Sequence, residues 1–219
     1  MNYTHFKHVS FDLWMTLIKS NPQFKAQRAQ LFRDYFKIDQ PLETVAQSIR
    51  KFDVLVNRMN ELIGKNVDTF ELYALILNDL DVPVSEMSAA KFSGFYTESI
   101  ALFWEHKPTL MLEKLPFTLE ALHREGITMN ILSNTGFIRG ADLRKLLEFY
   151  GIGSYFSFQI YSDEVSLSKP NYLIFDKVFR EISKTTTLVK NQVLHVGDNP
   201  EADVKGAAAY GFETWLIQH

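Results

Sequence analysis

The stretch HVSFDLWMTLIKS, His8 to Ser20, decides how the rest of the chain is read. His8 to Phe11 reads as a short buried strand, and it delivers a carboxylate, Asp12, at its end. Trp14 follows two residues on, and Thr16 two after that. An aspartate placed this way is either a strand-end cap or the first member of a site. The residues downstream decide between them.

From about Asn21 to Lys107 the pattern is helical, with few glycines. FKAQRAQLFRDYF sets Phe24, Ala29, Leu31, Phe32 and Phe36 near the helical period. LETVAQSIRKFDVLVNRMNELIG predicts a long helix that stops at Gly64. DTFELYALILNDL opens on Asp68 with Glu71 three residues later, the wording of a capping box. SEMSAAKFSGFYTESIALFWE predicts a further helix or helix pair starting at Ser85.

After Pro108, strands and helices alternate. TLEALHREG, RGADLRKLLEFYG, NYLIFDKVFREIS and EADVKGAAAYG predict helices, and ITMNILS, FSFQIYS, QVLHVG and ETWLI predict strands. This alternation implies an α/β fold: a Rossmann-like parallel sheet with helices on both faces. Residues 1–20 and 108–219 are expected to form this core, and residues 21–107 an all-helical cap subdomain inserted after the first strand. An insert at the carboxyl edge of a parallel sheet lies over the crevice where such folds bind ligands. It reads as a lid.

Composition narrows the function classes. The 219 residues are 46% hydrophobic and 14% aromatic, enough for a substantial core, and the net charge of −3 speaks against a general nucleic-acid or anionic-membrane surface. There is no cysteine, which excludes disulfides, thiolate metal sites and a cysteine nucleophile. The N-terminus MNYTHFKHVSFDLW lacks the basic and apolar regions of a secretory signal, and no window approaches the roughly 18–20 apolar residues of a membrane span. The expectation is a cytoplasmic protein with a small-molecule partner.

Four polar features fall at or just after predicted strand ends: Asp12, Ser133-Asn134, Lys169 in SLSKPN, and Asp198 in HVGDNPEAD. Parallel strands point their carboxyl ends the same way, so these groups are expected to meet in one crevice. A carboxylate nucleophile attacking an anionic substrate needs a cation beside it. Asp12 with Asp198 suits Mg²⁺, which prefers hard oxygen ligands. Ser133, Asn134 and nearby amides suit phosphate oxygens, and Lys169 can neutralise them. The plainer readings are that Asp12 and Asp198 are caps, Lys169 a loop lysine, Ser133 a turn residue and Thr16 a helix cap.

The order Asp12, Ser133-Asn134, Lys169-Pro170, Gly197-Asp198-Asn199, Asp203 resembles the four motifs of the haloacid dehalogenase-like hydrolase superfamily. SNTG, SKPNYLIF and HVGDNPEADVKGAAAYGF are close to the family's wording, and the likeness runs from Phe11 to Ile217. One branch of that family also carries a helical cap between the first and second motifs. The resemblance implies that Asp12 is a nucleophile forming an aspartyl-phosphate on a small phosphorylated metabolite. It implies Mg²⁺ held by Asp12, the backbone carbonyl of Trp14 and Asp198, with Asp203 supporting the metal site directly or through water. Thr16, Ser133 and Asn134 would contact or order the phosphate, and Lys169 would balance its charge.

Trp14 is the departure. The family's phosphatases usually read DxDGT, with a second aspartate that protonates the leaving alkoxide and then activates water; here the text is Asp12-Leu13-Trp14-Met15-Thr16. An indole N–H is a donor of no useful acidity. General acid–base help is typically worth about 10²–10⁴-fold, so a weak or specialised phosphatase is expected. Two other readings follow from the same departure: a phosphoryl- or Mg²⁺-binding regulatory protein without turnover, and a 2-haloacid dehalogenase, whose family members carry tyrosine at this point. Asp198 and Asp203 argue against the last, since they would repel an anionic haloacid. The indole either packs beneath the cap or lines the substrate pocket; the second is preferred, because its carbonyl has to face the site.

Overall fold

The computed structural model describes residues 5–218. Strand β1 (His8–Phe11) is followed by a tight turn, in which Leu13 O accepts from Leu17 N and Ile18 N, and by the short strand β2 (Ile18–Lys19). Four helices come next: α1 (Pro22–Phe36), α2 (Leu42–Ile63), α3 (Thr69–Asp79) and α4 (Ala89–Glu105). Strand β3 (Thr109–Leu110) then returns antiparallel to β2, so the chain leaves and re-enters the sheet region side by side. Neither short strand carries a pattern long enough to be legible in the sequence.

The remainder alternates: α5 (Leu115–Arg124), β4 (Thr128–Ser133), α6 (Gly140–Phe149), β5 (Phe158–Tyr161), α7 (Ser162–Val165), α8 (Tyr172–Ser183), β6 (Val193–Gly197), α9 (Gly206–Tyr210) and β7 (Glu213–Leu216). The five strands form a parallel sheet in the order β5-β4-β1-β6-β7, as the alternation predicts. Strand period two divides the side chains between two cores. Met129 and Ile131 pack with Leu119, Leu143 and Leu147 from α5 and α6. Leu132 and Val193 pack instead with Ile174, Phe175 and Val178 of α8 and Ala207 of α9. Helices therefore cover both faces.

β1 lies at the centre, with Phe11 paired to Ile131 on one side and to Val196 on the other. The carboxyl ends of three adjacent strands are thereby level, and Asp12 sits among them, its amide donating to Val196 O at 2.9 Å.

Helices α1 to α4 are held by an aromatic interior in which Phe32, Tyr73 and Phe95 meet edge to face with centroids 4.9–6.1 Å apart. The Asp68–Glu71 capping box forms as its sequence predicts. α4 differs: Ser88 caps it, and Val84–Glu86 form a separate 3₁₀ turn, so the helix begins later than Ser85. EADVKGAAAYG likewise divides into a π-type segment, Pro200–Lys205, and α9. The wider turn accompanies a carboxylate, Asp203, that folds back onto Asn199 N at 3.0 Å.

The helical layer is tied to the sheet edge by hydrogen bonds. Thr69 Oγ1 donates to Gly136 O at 2.8 Å, Tyr96 to Asp142 at 2.7 Å, and Asn199 Nδ2 to Glu61 at 2.7 Å. Gly64 ends α2 at φ +67°, and its carbonyl accepts from Ser168 N at 3.1 Å and Asn171 Nδ2 at 3.0 Å. Among the described residues no helix is long and apolar enough to cross a membrane.

Candidate active site

A cavity of about 550 Å³ opens between the carboxyl edge of the sheet and the helical layer. Asp12, Trp14, Asn134, Lys169, Asp198 and Asp203 all line it, so six of the eight residues singled out by the sequence converge. Thr16 and Ser133 do not line it. Thr16 is buried and donates its hydroxyl to Asp12 Oδ2 at 3.0 Å. Ser133 is fully buried and donates to Asn134 O at 3.1 Å.

The centre of the site is an ammonium between two carboxylates. Lys169 Nζ donates to Asp12 Oδ1 at 2.7 Å and to Asp203 Oδ1 at 2.6 Å, with all three residues buried. Burial alone would lower the Lys169 pKa, but the flanking Asp12 and Asp203 overcome it and hold the amine above its ordinary value. Asp203 is also met by His195 Nε2 at 3.1 Å and by Asn199 N. Against its burial, Lys169 and His195 hold its carboxyl below the usual range. His195 is thus a packed strand histidine, edge-on to Phe175, that braces Asp203.

Local sequence explains why these groups stay in place. A Cβ at Gly197 would overlap the Asp203 carboxylate, so glycine is needed where the acid folds back. Asn199 Oδ1 accepts from Glu201 N at 2.9 Å and Ala202 N at 3.0 Å, capping the turn that carries Asp203. Asn134 spends its amide on the Lys169 backbone: Nδ2 donates to Lys169 O at 3.1 Å, and Oδ1 accepts from Lys169 N at 2.8 Å. Its side chain clamps the lysine loop to the end of β4.

The model of the haloacid dehalogenase-like hydrolases matches residues 6–211, nearly the whole chain. The chain belongs to the haloacid dehalogenase-like hydrolase family. This hydrolase is 29% identical over 216 residues to the phosphoglycolate phosphatase of Pectobacterium atrosepticum, covering 95% of this chain and 78% of that protein. It is 36% identical over 74 residues to the pyrimidine 5'-nucleotidase YjjG of Escherichia coli, a match spanning 33% of this chain and only 32% of the nucleotidase. Its fold resembles that of the magnesium-bound HAD-hydrolase YfnB of Bacillus subtilis, with a TM-score of 0.71 at 18% identity, covering 97% of this chain and 88% of that one. It also resembles the 2-haloacid dehalogenase of Pseudomonas syringae pv. Tomato, with a TM-score of 0.64 at 21% identity, covering 97% and 86%. At these identities the likeness is one of fold.

The hydrolase's donor set fits a hard divalent cation. Asp12, Asp198 and Asp203 each offer a carboxylate oxygen, all within 4.8 Å of one another. Burial pushes the Asp12 carboxyl up to about 6; Lys169 opposes the rise, while Asp203 and Asp198 add to it. One buried ammonium leaves three clustered carboxylates with excess negative charge, and oxygen donors in that state suit Mg²⁺.

The helical wall of the cavity carries residues the sequence reading missed. Asp53, Asn57 and Glu61 line it from α2, and Phe24, Lys25 and Arg28 from α1. The four-residue spacing of Asp53, Asn57 and Glu61 is a polar stripe on one helix face. It could have been found, but exposed acidic stripes are common and nothing in the sequence aims this one at the site. Trp14 is half-buried against the main core and also lines the cavity, so it packs and borders the site at once.

Proposed function

We propose that the protein is a Mg²⁺-dependent phosphatase that acts on a small phosphorylated metabolite through an aspartyl-phosphate at Asp12, with residues 21–107 serving as its cap. The observation that carries this reading is the Lys169 ammonium held between Asp12 and Asp203 in the cavity between the sheet edge and the helices. A carboxylate so placed can approach an anionic phosphoryl group, because the fixed cation offsets the charge that the approach brings together. The ammonium and its partners are already oriented, so little reorganisation is needed when charge develops.

In the first step a carboxylate oxygen of Asp12 forms a bond to phosphorus, and the bond from phosphorus to the leaving-group oxygen breaks. The leaving oxygen departs as an anion and takes its proton from solvent water. In the second step water adds to phosphorus, the bond to Asp12 breaks, and inorganic phosphate leaves with Asp12 restored. Thr16 orients Asp12 through its bond to Oδ2. Asn134 and Asp203 act through Lys169, one on its backbone and one on its ammonium. Mg²⁺ would be held by Asp12, Asp198 and the carbonyl of Trp14, with Asp203 adjacent, and would supply positive charge to the phosphoryl oxygens. Ser133 would order the phosphate site from beneath, through the backbone of Asn134.

Trp14 offers no proton to the leaving group. Good leaving groups, which depart unprotonated, are therefore the favoured substrates. The acidic cluster disfavours an anionic haloacid, which keeps the phosphatase reading ahead of the dehalogenase one. The setting we assign is cytoplasmic. A screen of phosphorylated metabolites with and without Mg²⁺, using Asp12→Asn as blank, tests the reading. Metal-dependent phosphate release absent from the blank is expected. Binding without release would instead make this a non-catalytic phosphoryl-binding protein.

A further inference from the structure

The cavity holds a second buried cation that this mechanism does not use. Arg28 projects from α1 into the helical wall and is only 7% exposed. Its guanidinium lies over the Phe137 ring at 3.7 Å and reaches toward Phe24 at 5.4 Å. Among the described residues its Nε has no hydrogen-bond partner. Asp53 is the carboxylate that acts on it most strongly, yet Asp53 is engaged with Arg50 at 3.4 Å. Among the described residues, no carboxylate lies within ion-pair distance of Arg28.

A buried guanidinium without an anion is costly, and chains normally pair it or place it in water. Here the aromatic face of Phe137 offsets part of that cost. A guanidinium has N–H donors that bind a carboxylate or phosphate with paired hydrogen bonds. Lys169 supplies positive charge at the sheet edge, and Arg28 supplies it from the opposite, helical side of the same cavity. About 550 Å³ is far more room than one phosphoryl group needs. A substrate with its phosphoryl group at Asp12 would extend its leaving group toward the helices.

We propose that Arg28 is a specificity-determining residue that binds a second anionic group, a carboxylate or a second phosphate, on the leaving-group portion of the substrate. The inference rests on the phosphatase reading for which end of the substrate lies where. It predicts discrimination between substrates that differ only in that remote group.

The test uses the full chain in magnesium buffer with two matched pairs: 2-phosphoglycolate against 2-hydroxyethyl phosphate, and propane-1,3-diol bisphosphate against its monophosphate. The wild type is expected to favour the acidic member of at least one pair by about tenfold or more in kcat/KM, the size of one charge-assisted contact. Which pair responds distinguishes carboxylate from phosphate. Arg28→Met keeps an apolar stem over Phe137 and should collapse the ratio, chiefly through KM. Arg28→Lys should restore part of it. Calorimetric binding of the same pairs to Asp12→Asn reads the selection without turnover. Selective, Arg28-dependent binding with no turnover in the wild type would overturn the phosphatase reading alone. Equal treatment of both members of both pairs by the wild type would overturn the role of Arg28, and needs no variant to fold. An unchanged ratio in Arg28→Met would overturn it too, as would an equal loss on every substrate.

Discussion

Lys169 donates its ammonium to Asp12 across 157 residues of chain, at 2.7 Å and in a buried setting. The bond joins the end of the central strand to the loop before α8, so the site and the fold share one cation. Replacing it with Lys169→Met leaves Asp12 and Asp203 facing each other without a counter-charge. Removing one partner from a buried ionic group typically costs about 3–5 kcal/mol. Urea denaturation in chelator should show a loss of that order, with turnover abolished. A loss below about 1 kcal/mol would mean that Lys169 is not the charge that holds this cluster together.

Asn134, a candidate residue of the phosphate site, grips the backbone of Lys169 from both sides with its amide. Asn134→Ala removes two hydrogen bonds from a part-buried loop, costing about 1–3 kcal/mol. The ammonium remains but its position loosens. The expected outcome is a fall in kcat of about tenfold or more with KM little changed, the sign of a lost transition-state interaction. A rise in KM alone would return Asn134 to the role of a phosphate ligand.

The sheet and the order of its site residues were legible because strands leave a dense local record. A strand-like run ending in Asp12, the glycine that admits Asp203 at Gly197, and the capping asparagine Asn199 all sit within a few residues of what they control. Arg28 and Glu61 were not legible for the opposite reason. Each lies on a helix whose spacing says which face is apolar but not which part of the sheet it covers. Their place in the cavity depends on contacts such as that of Arg28 with Phe137, more than a hundred residues away. The late start of α4 shows the same limit on a small scale. Ser85 and Ser88 are both good caps by residue type, and only Ser88 accepts a hydrogen bond from the helix it begins, from Lys91 N.

His8 makes stability depend on pH at a point remote from the acids. It is buried, with Nε2 2.8 Å from Asn130 Oδ1 and Nδ1 2.7 Å from Thr128 Oγ1. Burial lowers its pKa to about 4, while the bond to Asn130 opposes the shift. The unfolded chain takes up a proton on this histidine near 6.5, before the folded chain does, so acid favours unfolding. Stability from His8 is complete above about pH 6.5 and is lost progressively down to about 4. The loss amounts to about 3 kcal/mol in all. Urea titrations at pH 7.5 and 5.0 should show about 2 kcal/mol of it, and His8→Gln should flatten the difference. An unchanged pH slope in that variant would assign the acid sensitivity to other groups.

Trp14 and Met15 occupy the two positions at which the family's phosphatases usually carry aspartate and glycine. Met15 adopts φ 58°, the left-handed region, which costs a residue with a side chain roughly 1–2 kcal/mol and glycine almost nothing. The backbone of this turn therefore keeps the shape a glycine would take, while its side chains have changed. The double substitution Trp14→Asp with Met15→Gly should return a proton-transferring carboxylate to the cavity wall without reshaping the turn. Acid catalysis matters most where the leaving oxygen is a strong base, so alkyl phosphates should gain more than aryl phosphates. A gain of about ten- to a hundredfold on alkyl substrates is expected, at the lower end of the range for general acid catalysis. Stopped assays on a matched alkyl and aryl pair give the ratio directly. If the two rise together, the lost group acted on water in the second step rather than on the leaving group. If neither rises, proton transfer does not limit this enzyme, and a carboxylate of the helical wall such as Glu61 becomes the group to replace next.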